Sequence, residues 1–210
     1  MRISIWRISS TATLTMNRPD FHRMGPPRPT ELAHRLLEEV VGEGARAIDA
    51  TAGNGHDTLF LARLVGASGR VLAFDVQAAA IDSARTLLEQ EGVAERVTFH
   101  HESHALLADR AEAGSADAVM FNLGYLPGAD RSVITETDGT LAALEAAVHV
   151  LRPGGWLCVT CYPGHSGGGD EATAVERWME AKAASGWRVA RYGLIGTRKP
   201  APFLLAAVKA

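Results

Sequence analysis

From Ile48 to Thr58 the chain reads Ile48-Asp49-Ala50-Thr51-Ala52-Gly53-Asn54-Gly55-His56-Asp57-Thr58, an apolar run closed by an acid, then two glycines before an apolar helical pattern. Glycine takes positive φ cheaply and lets backbone lie close to a ligand. The amides freed where a helix begins favour carboxylate or hydroxyl groups. The chemistry this suits is the holding of a small polar ligand at a strand-to-helix turn. It is not the dinucleotide fingerprint, because Thr58 stands where the third glycine is required. The same residues also suit a plain turn in which Asp57 caps the helix, and spacing alone leaves both readings open. A second acid, Asp75, closes the apolar run Arg70-Val71-Leu72-Ala73-Phe74. Its distance from Gly55 is what a βαβ unit needs to bring a carboxylate onto ribose hydroxyls. Ser103 and His104 follow another apolar run and are candidates for the base end of a nucleotide-like ligand, since polar residues at the carboxyl end of a parallel strand line the ligand crevice. A metal held by His100, His101 and His104 is the poorer reading. No cysteine or paired carboxylate completes the set, and neighbouring strand-end positions do not converge.

These residues need a scaffold, and 210 residues with nearly half of them apolar suffice for one full core. Leu32, Leu36, Leu37, Val40 and Val41 recur at helical spacing, with Thr30 as the expected N-cap and Gly42 and Gly44 closing the end. Strands are expected over 45–50, 70–75, 96–100, 116–121 and 156–162, with helices over 57–65, 77–91, 138–151 and 170–185 between or after them. A short helix is expected through Leu107; the fourth strand ends in residues 122–128, and a long loop, residues 129–135, follows, of the kind that in compact domains is usually functional. The β-rich runs 187–195 and 203–208 are joined by a connection short enough to force antiparallel pairing. The expected fold class is α/β: a Rossmann-like, doubly wound, seven-stranded sheet, mostly parallel, with one antiparallel strand in a C-terminal hairpin.

A net charge of −3 argues against a protein that coats nucleic acid generally, so any RNA contact is expected to be local. Up to Arg28 the chain carries five arginines against Asp20 alone, so residues 1–29 read as a basic, flexible segment before a domain over 30–210. Ile3-Ser4-Ile5-Trp6 is too short for a secretory h-region, and no run approaches a membrane span, so a cytoplasmic protein without a membrane partner is expected. Cys158 and Cys161 lie three apart in a strand-like run and would face opposite sides, as buried thiols rather than a redox or zinc pair.

The order of Asp49-x-x-x-Gly53-x-Gly55, Asp75, Leu151-Arg152-Pro153-Gly154-Gly155 and the closing hairpin resembles the class I S-adenosylmethionine-dependent methyltransferases from Thr30 to Ala210. Three segments are similar to a narrower group: 49–58, Asn122-Leu123-Gly124-Tyr125-Leu126-Pro127-Gly128, and Tyr162-Pro163-Gly164-His165. That group is the MnmM type, bacterial enzymes first described as rRNA methylases, which methylate the primary amine of 5-aminomethyl-(2-thio)uridine at the tRNA wobble position. The chain departs from the group at Ala129 and Arg131, where a glycine and a lysine are usual. The resemblance implies that Gly53, Asn54, Gly55 and Asp57 hold the methionine part of S-adenosylmethionine. Asp75 and Gln77 would then hold its ribose and adenine edge, with Ser103 and His104 flanking the base.

The Asn122-Leu123-Gly124-Tyr125 segment is similar to the Asn-Pro-Pro-Tyr motif of methyltransferases that act on exocyclic amines. An attacking amine points its lone pair at the methyl while its hydrogens need acceptors, and the Asn122 amide oxygen and Leu123 carbonyl supply two. Tyr125 offers a face on which an extruded base stacks. An aminomethyl group is largely cationic near neutral pH, so a proton acceptor is wanted, and His165 and His56 are the candidates. The resemblance also implies a tRNA anticodon stem-loop as partner, with Arg131, Arg198 and Lys199 as phosphate contacts, and a homodimer. The alternatives are a methyltransferase for rRNA or a small amine, and a cofactor-binding protein that does not catalyse.

Overall fold

The computed structural model describes residues 25–124, 137–164 and 167–210. Tyr125, Arg131 and His165, singled out above, lie outside the described residues. In chain order the elements are α1 (Pro29–Glu38), β1 (Arg46–Asp49), α2 (His56–Leu64), β2 (Arg70–Asp75), α3 (Ala78–Gln90), β3 (Val97–His101), β4 (Ala116–Leu123), α4 (Thr137–Val150), β5 (Leu151–Cys161), α5 (Gly168–Ala184), β6 (Arg188–Gly193) and β7 (Phe203–Val208). Short 3-10 helices cover Ala94–Arg96 and His104–Asp109.

The seven strands form one sheet in the order β3-β2-β1-β4-β5-β7-β6. Every pair among the first five is parallel, and β7 runs antiparallel to both β5 and β6. This is the architecture expected from the sequence. The order reverses between β1 and β4, and in open α/β sheets ligands sit outside the carboxyl ends of the strands at that reversal.

Two-residue periodicity sorts the strands onto two faces. Ala118, Met120 and Cys158 pack with α1, α2 and α3 through Ala33, Leu37, Leu61, Ala62 and Leu88. Val119, Phe121, Leu123, Leu157, Val159 and Cys161 pack with α4 and α5 through Leu144, Ala147, Val175 and Met179. Cys158 and Cys161 therefore stand in opposite cores as free thiols, and burial pushes each up to about 12.

Three of the differences from the expected boundaries have a clear physical reason. The N-cap of α1 is Arg28 rather than Thr30, because Pro29 suits the first helical position and Glu31 accepts a hydrogen bond from the Arg28 amide. The run Leu151-Arg152-Pro153-Gly154-Gly155 is not a loop before the fifth strand but an irregular first part of it: Leu151 pairs with Ala116, and the register shifts before Trp156 pairs with Ala118. Strand β4 continues two residues past Phe121, with Asn122 paired to Thr160 and Leu123 to Cys161. The alternation then puts Asn122 on the face of Ala118 and Met120, toward α1 and α2.

Gly55 is where the chain leaves β1 for α2, at φ +86°, and a Cβ there would stand 2.6 Å from the Ala84 Cα of α3. Both the positive φ and the backbone contact disfavour any side chain. Gly55→Ala is expected to lower the unfolding free energy by about 2 kcal/mol or more. Chemical denaturation checks this, and an unchanged midpoint would contradict the packing described.

Candidate functional site

The turn between β1 and α2 is laid across the ends of its neighbouring strands by its own backbone. Ala50 N donates to Met120 O of β4 at 2.9 Å, and Ala52 N donates to Phe74 O of β2 at 2.8 Å. Two carboxylates complete the clamp. Asp49 is fully buried and accepts from Thr51 N at 3.1 Å and from the Thr58 hydroxyl at 2.6 Å. Asp75 accepts from Gly53 N at 2.9 Å through Oδ2 and from Gln77 N at 2.9 Å through Oδ1. Burial first, then the nearby charge of Asp57, pushes Asp49 up to about 7, although the bonds from Thr58 and Thr51 pull it down.

Asp57 sits in the first turn of α2 without capping it; the cap position is Gly55, which has no side chain to offer. Instead its two oxygens go to different elements. Oδ1 is 2.6 Å from His34 Nε2 on α1, and Oδ2 accepts from Asn122 Nδ2 at 2.6 Å. The Asn122 backbone amide donates to Thr51 Oγ1 at 2.7 Å. A carboxylate only accepts, so it holds the NH2 end of the Asn122 amide. The oxygen end is turned the other way: Asn122 Oδ1 is buried and has no hydrogen-bond partner among the described residues. A buried acceptor left without a donor costs free energy, and a site that keeps one is suited to a donor brought by a ligand.

The remaining expected residues fall around this centre. Asn54 and His56 are exposed on the turn and at the start of α2, and Gly53 and Gln77 are partly exposed. Ser103 Oγ accepts from Ala105 N and so caps the 3-10 helix that follows. His104 lies beneath the turn, its Nδ1 3.1 Å from Ala50 O and its ring edge-on to Phe121, and burial holds it below its ordinary value. His100 stacks on Phe74 and meets Glu102, and His101 meets Val76 O, so the three histidines turn to three separate partners. The Leu123 carbonyl already accepts from Tyr162 N at 3.1 Å, which leaves it one lone pair.

Three positions at this centre were given no role in the sequence reading. His34 belongs to an amphipathic helix, and nothing in its spacing points to Asp57. Tyr162 lies against Gly124, where a Cβ would come within 3.2 Å of its own Cβ, and burial and the Asp57 charge both raise its phenol. Val76, directly after Asp75, is 53% exposed, an apolar side chain beside a carboxylate and a glycine turn. Val76 had a readable signal as the position after a strand-ending acid, and Tyr162 as the first residue of a segment that carried the resemblance; His34 had none.

Comparison with known proteins shows what the chain is similar to. A family model described as "Putative rRNA methylase" matches residues 71–208. A tRNA (mnm(5)s(2)U34)-methyltransferase, chloroplastic, of Arabidopsis thaliana is 38% identical over 194 residues, 88% of this chain and 70% of that protein. The crystal structure of a putative rRNA-methylase from Clostridium thermocellum superposes with a TM-score of 0.85 at 34% identity, over 89% of this chain and 100% of that one. A putative methyltransferase from Streptococcus mutans, solved in complex with SAH, gives a TM-score of 0.80 at 35% identity over 89% of this chain and 100% of its own.

A carboxyl whose folded value lies above its ordinary 3.8 stabilises the fold at low pH and loses that contribution as pH climbs toward 7. In Asp49→Asn the amide still accepts from Thr51 N, and Thr58 accepts instead of donating. The unfolding free energy of the variant relative to wild type is expected to rise between about pH 4 and pH 7, by ~4 kcal/mol at the upper limit. Denaturation across that range checks it; a flat difference would contradict a buried Asp49.

Proposed function

The chain belongs to the family described as "Putative rRNA methylase", and on that premise we propose that it is an S-adenosylmethionine-dependent N-methyltransferase acting on the primary amine of 5-aminomethyl-(2-thio)uridine at the tRNA wobble position. The observation that carries this reading is the Asn122 amide, locked by Asp57 and Thr51 with its oxygen buried and without a partner among the described residues. An acceptor so placed suits an N–H donor, as an amine nucleophile is. The name of the Arabidopsis relative supports the tRNA wobble position.

The residues present fit the cofactor. Asp75 has a lone pair left on each oxygen after its two amide bonds, which suits a ribose diol, and the exposed Val76 suits one face of an adenine. Gln77, Ser103 and His104 border the same strand ends and would flank the base. Asp57, bonded once at each oxygen by His34 and Asn122, likewise keeps a lone pair on each, so it would hold the methionine part together with Gly53, Asn54, Gly55 and the leading amides of α2. When bound, the cofactor supplies a methyl group on a sulfonium.

What this chain contributes is alignment. Asn122 Oδ1 accepts one hydrogen of the substrate amine, and the second lone pair of the Leu123 carbonyl accepts another. Holding the nucleophile at near-attack distance is worth several kcal/mol of barrier without strong acid or base catalysis. The ammonium form of the substrate gives up its proton first, and His56, exposed at the start of α2, and His165 are the proposed acceptors. Tyr125 is proposed to stack on the uridine. Arg198 and Lys199 are exposed on the connection between β6 and β7, which passes the turn after β5: a Cβ on Gly164 would lie 3.5 Å from Pro200 O. Two cations there suit anticodon phosphates. No helix among the described residues is long and apolar enough to cross a membrane.

Label from S-adenosylmethionine is expected to enter tRNA lacking only the terminal methyl, and not rRNA or free polyamines presented beside it. Label in rRNA or polyamine alone would overturn the substrate assignment, and cofactor binding without transfer to any of them would overturn the enzyme. Asn122→Ala is expected to keep cofactor affinity and lose about a hundredfold or more in kcat; equal loss of both would make Asn122 a cofactor ligand. Replacing Arg198 and Lys199 together with alanine is expected to weaken tRNA binding and lower the slope of log affinity against log salt by about 1.4. An unchanged slope would remove these two side chains from the interface.

A further inference from the structure

His34 lies on α1, outside residues 71–208 that the family model matches, and no role for it was readable from the sequence. We propose that His34 is a positioning residue, which acts through Asp57 to fix the Asn122 amide with its oxygen toward the substrate amine. The proposal rests on the N-methyltransferase reading above and deepens it.

The geometry is a chain of three side chains from three elements. His34 Nε2 stands 2.6 Å from Asp57 Oδ1, and Asp57 Oδ2 stands 2.6 Å from Asn122 Nδ2. Both members of the first contact are largely shielded, with 28% and 16% of their side chains exposed. The His34 ring is itself fixed, stacked on Phe60 of α2 with centroids 3.8 Å apart and planes 6° from parallel. The α1 helix is anchored behind it by Ala33 and Leu37, both fully buried.

Without His34, one oxygen of Asp57 would lack its donor. The carboxylate could then rotate about its terminal torsion, which is broad for sp³–sp² bonds. Asn122 would lose the fixed acceptor that distinguishes its nitrogen from its oxygen, and an amide turned over presents a donor to a donor. An amine substrate would meet NH2 where it needs C=O. Outer partners of this kind typically change function by about ten- to a hundredfold where they orient a directly acting group.

Two substitutions separate positioning from packing. His34→Phe keeps a ring to stack on Phe60 and removes the donor; His34→Gln keeps an N–H of similar reach and removes the ring. With tRNA carrying the unmethylated amine, His34→Phe is expected to lower kcat by about tenfold or more while the KM for tRNA and the affinity for S-adenosylmethionine stay near wild type. His34→Gln is expected to recover most of that loss. Wild-type kcat in His34→Phe, or equal losses in both variants with matching loss of thermal stability, would overturn the proposal.

A second readout needs no turnover. The Asn122 side-chain amide is identified in a ¹⁵N spectrum by its absence in Asn122→Asp. In wild type one of its protons is expected to be displaced downfield and slow to exchange. His34→Phe should abolish that signature and His34→Gln preserve it. Were the signature intact in His34→Phe, the proposal would fail; were it to follow the donor while no substrate is methylated by wild type, the function reading alone would fail.

Discussion

Which end of one amide faces the crevice decides what this site can offer a ligand, and the Asp57 carboxylate decides it. Asn122, the last residue but one of β4, lies on the face shared with α1 and α2, so its side chain meets the first turn of α2 rather than solvent. That placement requires β1, β4 and α2 to be in register to within a hydrogen bond. The buried clamp of Asp49 on Thr51 and Thr58 supplies the register, and Thr51 in turn holds the Asn122 backbone. The parallel sheet, the glycine at positive φ and the anchored α1 are thus conditions for a single oriented acceptor.

The same geometry gathers three carboxylates, Asp49, Asp57 and Asp75, around the turn between β1 and α2. Burial first, and then repulsion from Asp57 and, least, Asp75, is expressed in the rise of Asp49 to about 7. Each carboxylate is also hydrogen-bonded at both oxygens, which keeps the cluster tolerable. On the proposed function the negative field has a use, since a sulfonium is positive before transfer and neutral after it. The field then favours the loaded cofactor over the spent one.

Sequence carried the architecture further than the contacts. β2 and β7 were legible to the residue, because each is an apolar run closed by an acid or bounded by prolines and polar residues. The thiols of Cys158 and Cys161 were assigned to opposite faces from period two alone. Asn122 was read as loop because asparagine is depleted from strands; pairing with Thr160 overrides that local preference. The start of β5 was hidden for the same reason, with proline and two glycines inside a strand that bulges around them. Asp57 looked like a helix cap or a cofactor ligand; it is not a cap, and each of its oxygens meets a side chain of another element. Its partners, His34 and Asn122, stand 23 and 65 residues away on other elements, a distance that periodicity cannot bridge.

The most direct measurement is a crystal structure of this protein with S-adenosylhomocysteine bound. The account predicts the sulfur above the turn at Gly53 and facing Asn122 Oδ1, with room for one methyl group and one amine nitrogen between them and with Asp57 still shared by His34 and Asn122. A sulfur turned away from Asn122, or an Asn122 oxygen occupied by the cofactor itself, would contradict it.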